Sequence, residues 1–282
     1  MQQRRLAKTD YMLSIAGFGG IAVMDESPGY SAALVRKAIG RGINYFDVAP
    51  TYGNAEERLG PALEPFRDEV FLACKTAERT RADAERQLGE SLEKLRTDHL
   101  DLYQIHGIAN LHEVDAVTES GGALDALRDA REKGLTRLLG FSAHSEEAAL
   151  AMMERFDFDT ILFPLNYVTW YQGRFGQEVL KEALSREMGI LALKVLARTS
   201  WRQGQERTWP KCWYMPVLDE KEARMAVRWA FSRPITSAVS PGHAELLWWL
   251  ADAAEHFRPT SAAEEKQIAA AAQGIEPIFT SD

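Results

Sequence analysis

Four residues have side chains suited to moving a proton, and each stands at or just past the end of a short apolar run. Ile43 to Phe46 leads into Asp47 and then into a Pro- and Gly-punctuated loop that carries Tyr52. Val70 to Cys74 delivers Lys75, and Leu100 to Ile105 delivers His106. If these runs are successive strands of a parallel barrel, their carboxyl ends share one face, and an acid, a phenol, an ammonium and an imidazole converge there. That combination is a proton-handling site. Taken singly, each has a plainer reading: a turn or helix-capping Asp, a core Tyr, a solvated Lys, a hydrogen-bonded His.

The elements that would position them recur along the whole chain. Arg4 to Leu6 and Tyr11 to Leu13 flank Lys8-Thr9-Asp10 as a hairpin able to close the bottom of a barrel, and Ser14 to Phe18 is a first strand. A helix follows, N-capped at Tyr30 or Ser31 and ending at Arg41, and Ala55 to Phe66 repeats Leu59, Ala62, Leu63 and Phe66 at helical spacing. Ala82 to Leu95 is a third helix. A long loop, Gly107 to Gly121, separates the His106 strand from helix Ala123 to Lys133. Strands Thr136 to Phe141, Thr160 to Pro164, Ile190 to Leu196 and Ile235 to Val239 alternate with helices Glu146 to Arg155, Glu178 to Glu187, Glu220 to Ser232 and Ala244 to His256. Eight strand-then-helix units without a linker predict an α/β chain forming one (β/α)8 TIM barrel, a single domain over residues 1–282.

Composition narrows the classes. A chain of 282 residues, 46% hydrophobic with a formal charge of −8, has a large core and no basic patch for nucleic acid. No apolar run approaches a membrane span, and no secretory leader is legible at the N-terminus, so a cytoplasmic protein is expected. Only Cys74 and Cys212 are present, which favours a reducing compartment over a disulfide framework. By strand alternation Cys74 faces away from Lys75, as a small buried filler. The paired His and carboxylate ligands of a metal-dependent hydrolase barrel are missing, so no metal site is expected. Gly17-x-Gly19-Gly20 lacks the third glycine of a dinucleotide-binding turn.

The stretch Asn44-Tyr45-Phe46-Asp47-Val48-Ala49-Pro50-Thr51-Tyr52-Gly53, with Lys75 and His106 following in order, resembles the tetrad signature of the aldo-keto reductases, with Val48 in place of the usual Thr. Gly17-Phe18-Gly19-Gly20 and Gly140-Phe141-Ser142 also match, and the resemblance runs through essentially the whole chain. It implies a metal-free barrel that binds NADP(H) or NAD(H) across the strand ends and interconverts a small carbonyl compound and its alcohol. In that reading Tyr52 is the general acid, Lys75 lowers the phenol's pKa, Asp47 holds Lys75, and His106 orients the carbonyl oxygen. Carried over as cofactor-binding are Gly20, Asp47, Ser142, Asn166, Lys194, Gly242 and Glu245. Ser142 would hold the nicotinamide amide, although His144 stands where the family usually has Asn. Asn166 either substitutes for a Gln whose position is taken by Leu162 or simply forms a turn. Lys194 resembles part of a bacterial M-K-P-L-A segment and would point towards the cofactor.

The segment Pro241-Gly242-His243-Ala244-Glu245 places a carboxylate where NADP-preferring relatives carry a cation, which gives a lean towards NAD. Against that lean, Arg198, Arg202, Arg207 and Lys211 lie in a loop that could supply the charge. Aromatic residues after the sixth and seventh strands, among them Tyr167, Trp170, Trp213 and Tyr214, either line a substrate pocket or weld long loops to the rim. Besides carbonyl reduction, a cofactor-sensing barrel with little turnover remains open, and the oligomeric state is not legible.

Overall fold

The structure, a computed structural model, describes residues 1–281. Strands β1 (Gln3–Arg5) and β2 (Met12–Ser14) pair as an antiparallel hairpin. The barrel strands are β3 (Ala16–Gly19), β4 (Tyr45–Asp47), β5 (Phe71–Thr76), β6 (Leu100–Ile108), β7 (Thr136–Ala143), β8 (Thr160–Pro164) and β9 (Gly189–Leu193). After an outlying antiparallel pair, β10 (Ala197–Ser200) with β11 (Tyr214–Pro216), strand β12 (Ser237–Val239) closes the barrel between β9 and β3. Every barrel pairing is parallel, so all eight strands end on one face.

The helices are α1 (Pro28–Gly40), α2 (Ala55–Leu63), α3 (Arg81–Leu95), α4 (Leu111–Thr118), α5 (Ala123–Glu132), α6 (Glu146–Arg155), α7 (Tyr167–Tyr171), α8 (Gln177–Ser185), α9 (Glu220–Phe231), α10 (Ala244–Glu255) and α11 (Ala262–Ala272). Three of them depart from expectation: α4 occupies what reads as loop, and α7 and α11 are additional. The start of α1 also differs. Ser27, not Tyr30 or Ser31, is its N-cap, accepting from the Tyr30 amide with Pro28 in the first turn, while Ser31 bonds back to the Ser27 carbonyl.

Two cores result from strand alternation. The outer one lies between barrel and helices. The inner one fills the barrel with Tyr45, Phe71, Ala73, Leu102, Leu138, Leu162, Leu191 and Val239, and the hairpin's Leu6 and Leu13 plug it from below. Asn44 ties that plug in place, accepting from the Ser14 amide (2.7 Å) and donating to the Met12 carbonyl (2.8 Å). Leu6 is fully buried, so Leu6→Ala should cost about 2–5 kcal/mol in denaturant unfolding, with kcat retained because the plug lies at the end opposite the strand termini.

Candidate active site

Asp47 ends β4, Lys75 lies near the end of β5 and His106 near the end of β6, while Tyr52 comes from the loop that leads into α2. All four line one cavity of about 200 Å³ at the carboxyl ends of the strands. Lys75 is completely buried, its ammonium paired with Asp47 Oδ1 and donating to the Val48 carbonyl at 3.1 Å. The other carboxylate oxygen of Asp47 accepts from Gln104 Nε2 (3.1 Å) and from the Tyr45 hydroxyl (3.3 Å). A buried pair is retained only when its remaining lone pairs are satisfied, and Asp47 meets that condition. Lys75 Nζ lies 5.4 Å from the centre of the Tyr52 ring, and the Tyr52 and His106 rings meet edge-on at 5.9 Å.

Burial raises the Tyr52 phenol above its usual range; the Lys75 charge pulls it down, and Asp47 adds to the rise. Lys75 thus acts on the phenol in the expected direction, but burial outweighs it and the net shift is upward. Burial likewise pulls the Lys75 ammonium down, but Asp47 and Tyr52 together leave it raised and charged. Tyr52 is thus a protonated phenol beside a fixed cation at neutral pH. His106 is lowered to about 3 by burial and then by Lys75, so its imidazole is neutral. The Thr51 hydroxyl lies 3.5 Å from its Nδ1.

His144 is also lowered to about 3, by burial and by Lys194. Both histidines bind protons more weakly folded than unfolded, so folding stability is complete above about pH 6.5 and is lost as pH falls from there towards about 3. His144→Gln should flatten the fall in Tm across that window relative to the parent chain, which thermal unfolding at a series of pH values measures. An unchanged slope would contradict the burial of a neutral imidazole.

The residues carried over as cofactor-binding divide. Ser142, Lys194 and Gly242 line the cavity. Ser142 Oγ accepts from the Gly107 amide at 2.8 Å and donates to nothing among the described residues. Gly20 is not in the cavity wall; a Cβ there would come within 2.8 Å of Val48, so its close approach is to the loop after β4. Asn166 N-caps α7, its side-chain oxygen accepting from the Thr169 amide at 2.9 Å; it stands outside the cavity lining, and its buried Nδ2 has no partner among the described residues. Glu245 is exposed in the first turn of α10.

Sequence reasoning missed Gln104, which the alternation of β6 places on the same inward face as His106. Of the basic strap running from β10 to β11, expected as a source of charge, Lys211, Cys212 and Trp213 reach the cavity wall, while Arg198 and Arg202 line a separate surface hollow with Gly274 to Glu276. Lys211 anchors that strap through its ammonium to Glu26 (2.7 Å) and its amide to His243 Nε2 (3.1 Å), and Trp209 packs edge-on against His243 and Trp249. Cys212, Trp213 and Tyr214 thereby line the cavity. The aromatics after β8 weld instead: Tyr167 donates to Glu222 at 2.6 Å, and Trp170 and Tyr171 pack on Trp229. Cys74 is buried as expected, its thiol near Glu56.

A closed eight-stranded parallel barrel with this tetrad at its strand ends defines a narrow class, and the sequence agrees: residues 17–270 match the profile of the Aldo/keto reductase family, and the chain belongs to that family. It is 28% identical over 70% of its length to the "Aldo-keto reductase YhdN" of Bacillus subtilis, matching 63% of that protein. It is 27% identical over 70% of its length to the "L-galactose dehydrogenase" of Arabidopsis thaliana, matching 66% of that protein. The matched stretch is about half, 49%, of the Bacillus subtilis oxidoreductase YqkF. The holo form of aldo-keto reductase AKR11C1 from Bacillus halodurans superposes on the full length of both chains with a TM-score of 0.78 at 19% identity, a likeness of fold. No helix among the described residues is long and apolar enough to cross a membrane.

Proposed function

We propose that this chain is an NAD(P)-dependent oxidoreductase that reduces an aldehyde or ketone to an alcohol, or runs the reverse reaction, with Tyr52 as proton donor. The observation that carries this reading is the meeting of Tyr52, the Asp47–Lys75 pair and His106 in one cavity. When bound, the dihydronicotinamide supplies the hydride. The cavity fits such a ring: the Ser142 hydroxyl has a proton to donate, and backbone at Gly19, Ser240 and Gly242 forms the adjoining wall.

The protein's own part is to orient and to protonate. The His106 ring is neutral and its Nδ1 faces the Thr51 hydroxyl at 3.5 Å; in the tautomer with the proton on Nε2 it can donate to the substrate oxygen without protonation of the ring. Tyr52, kept protonated by burial, gives its proton to that oxygen as negative charge develops there. The phenolate left behind is stabilised by the Lys75 ammonium, which Asp47 and the Val48 carbonyl hold in place, with Gln104 in turn holding Asp47. In the oxidising direction the same pair works in reverse, and a raised phenol places its optimum at alkaline pH.

A cytoplasmic location and a small carbonyl or alcohol partner belong to the same proposal. A fluorescence titration with NADPH and NADH, followed by consumption of the reduced form across a panel of aldehydes, tests it and reads the cofactor preference, for which Glu245 gives the lean to NAD. Turnover of at least one aldehyde is expected. Tight cofactor binding with no turnover would support the sensing barrel, a reading favoured by His144 standing at the usual Asn position.

A further inference from the structure

The cavity contains one ammonium group with no anion to meet. Among the described residues three lysines line it, Lys75, Lys194 and Lys211, and Asp47 is the only carboxylate in its wall. Asp47 is fully used by Lys75, Gln104 and Tyr45, and Lys211 is paired with Glu26. Among the described residues Lys194 makes no ion pair, and its ammonium has no hydrogen-bond acceptor. It rests on ring faces, 5.2 Å from the centre of Trp213 and 5.8 Å from that of Tyr214. Such contacts hold a cation but do not neutralise it, and a half-buried cation gains from an anion that reaches it.

The backbone is shaped to put that side chain there. Lys194 has φ of 64°, in the left-handed region that side-chain-bearing residues seldom occupy, and its carbonyl accepts from the Ala197 amide at 2.8 Å, closing a turn at the end of β9. The turn lifts the side chain off the end of the strand and under the aromatic roof made by Trp213. Burial, and then Lys75, bring the Lys194 ammonium down to about 8, although Cys212 opposes this. An arriving anion would reverse that shift.

We propose that Lys194 binds a carboxylate carried by the carbonyl compound itself, so that the preferred substrates are oxo acids rather than neutral aldehydes. This rests on the carbonyl-reductase reading above. Lys194 and the tetrad line the same cavity, so a molecule with its carbonyl at Tyr52 and His106 lies in the space that the ammonium borders. A cofactor phosphate carries the same anionic chemistry, and the test separates the two sources.

The experiment compares kcat/KM for succinic semialdehyde and for butanal in the parent chain, Lys194→Met and Lys194→Arg, with cofactor dissociation constants measured alongside. A charge-assisted hydrogen bond predicts a preference for the acid of roughly tenfold or more in the parent chain. Lys194→Met should bring the ratio of kcat/KM for the acid to that for butanal down to near one, whatever it does to the absolute rates, and Lys194→Arg should keep most of the preference. An absent preference in the parent chain overturns the inference. So does a Lys194→Met variant that binds cofactor much more weakly yet still prefers the acid, because the cation would then serve a cofactor phosphate. If neither of these two aldehydes turns over, the panel above decides the carbonyl-reductase reading, and binding decides separately whether Lys194 holds a carboxylate. Saturable quenching of tryptophan fluorescence by benzoate but not benzyl alcohol, lost in Lys194→Met, supports it; no benzoate binding overturns it.

Discussion

Tyr52→Phe is expected to lower carbonyl reduction by about 10²–10⁴-fold, the usual contribution of a positioned general acid, while cofactor affinity stays nearly unchanged. The ring persists, so its edge-on contact with His106 and its place beside Lys75 persist as well. Only the proton is lost. Steady-state rates and a cofactor titration on the same preparation separate the two effects. Retention of most of the activity would remove Tyr52 from the chemistry.

Lys75→Met should act on both stability and mechanism. It strands Asp47, which is 2% exposed, without its cation. Removing one partner of a buried pair costs about 3–5 kcal/mol, and denaturant unfolding should show a loss of that order. Asp47→Asn in the same chain should recover part of it, because a neutral amide needs no counter-ion. Mechanistically, Lys75 is the group that holds the phenol down against burial and Asp47. Its loss should cut alcohol oxidation severely near neutrality and move the remaining activity to higher pH. A normal rate with an unshifted pH profile would make Lys75 a structural residue only.

The tetrad was legible because strand ends are: an apolar run that stops at an ionisable residue, repeated in three successive units, leaves little freedom in a parallel barrel about where the side chain emerges. Gln104 was equally available from the alternation of β6, but a lone Gln carries no chemical signal until Asp47 is known to need a donor. The helices that were missed have weak apolar patterns. In α4 only Val114 and Val117 are buried, and in α11 only Ile268 and Ala272, although Ser261 and Glu264 form a capping box that could have been recognised. The strap was illegible because its position depends on contacts far apart in sequence, Lys211 with Glu26 and with His243. In the same way a motif match carries no distances: the fold places Val48 against Gly20 and the Thr169 amide against the Asn166 side-chain oxygen, neither of which the sequence shows.

The central claim, transfer of hydride to a carbonyl carbon with the proton supplied by Tyr52, is tested most directly by a single-turnover reaction. The purified chain would be mixed with reduced cofactor deuterated on the transferable position of its dihydronicotinamide and with a responsive aldehyde, and the product analysed by mass spectrometry. The account predicts one deuterium on the carbinol carbon with the parent chain and almost no labelled alcohol with Tyr52→Phe. Alcohol formed without label, or formed equally well by Tyr52→Phe, would contradict it.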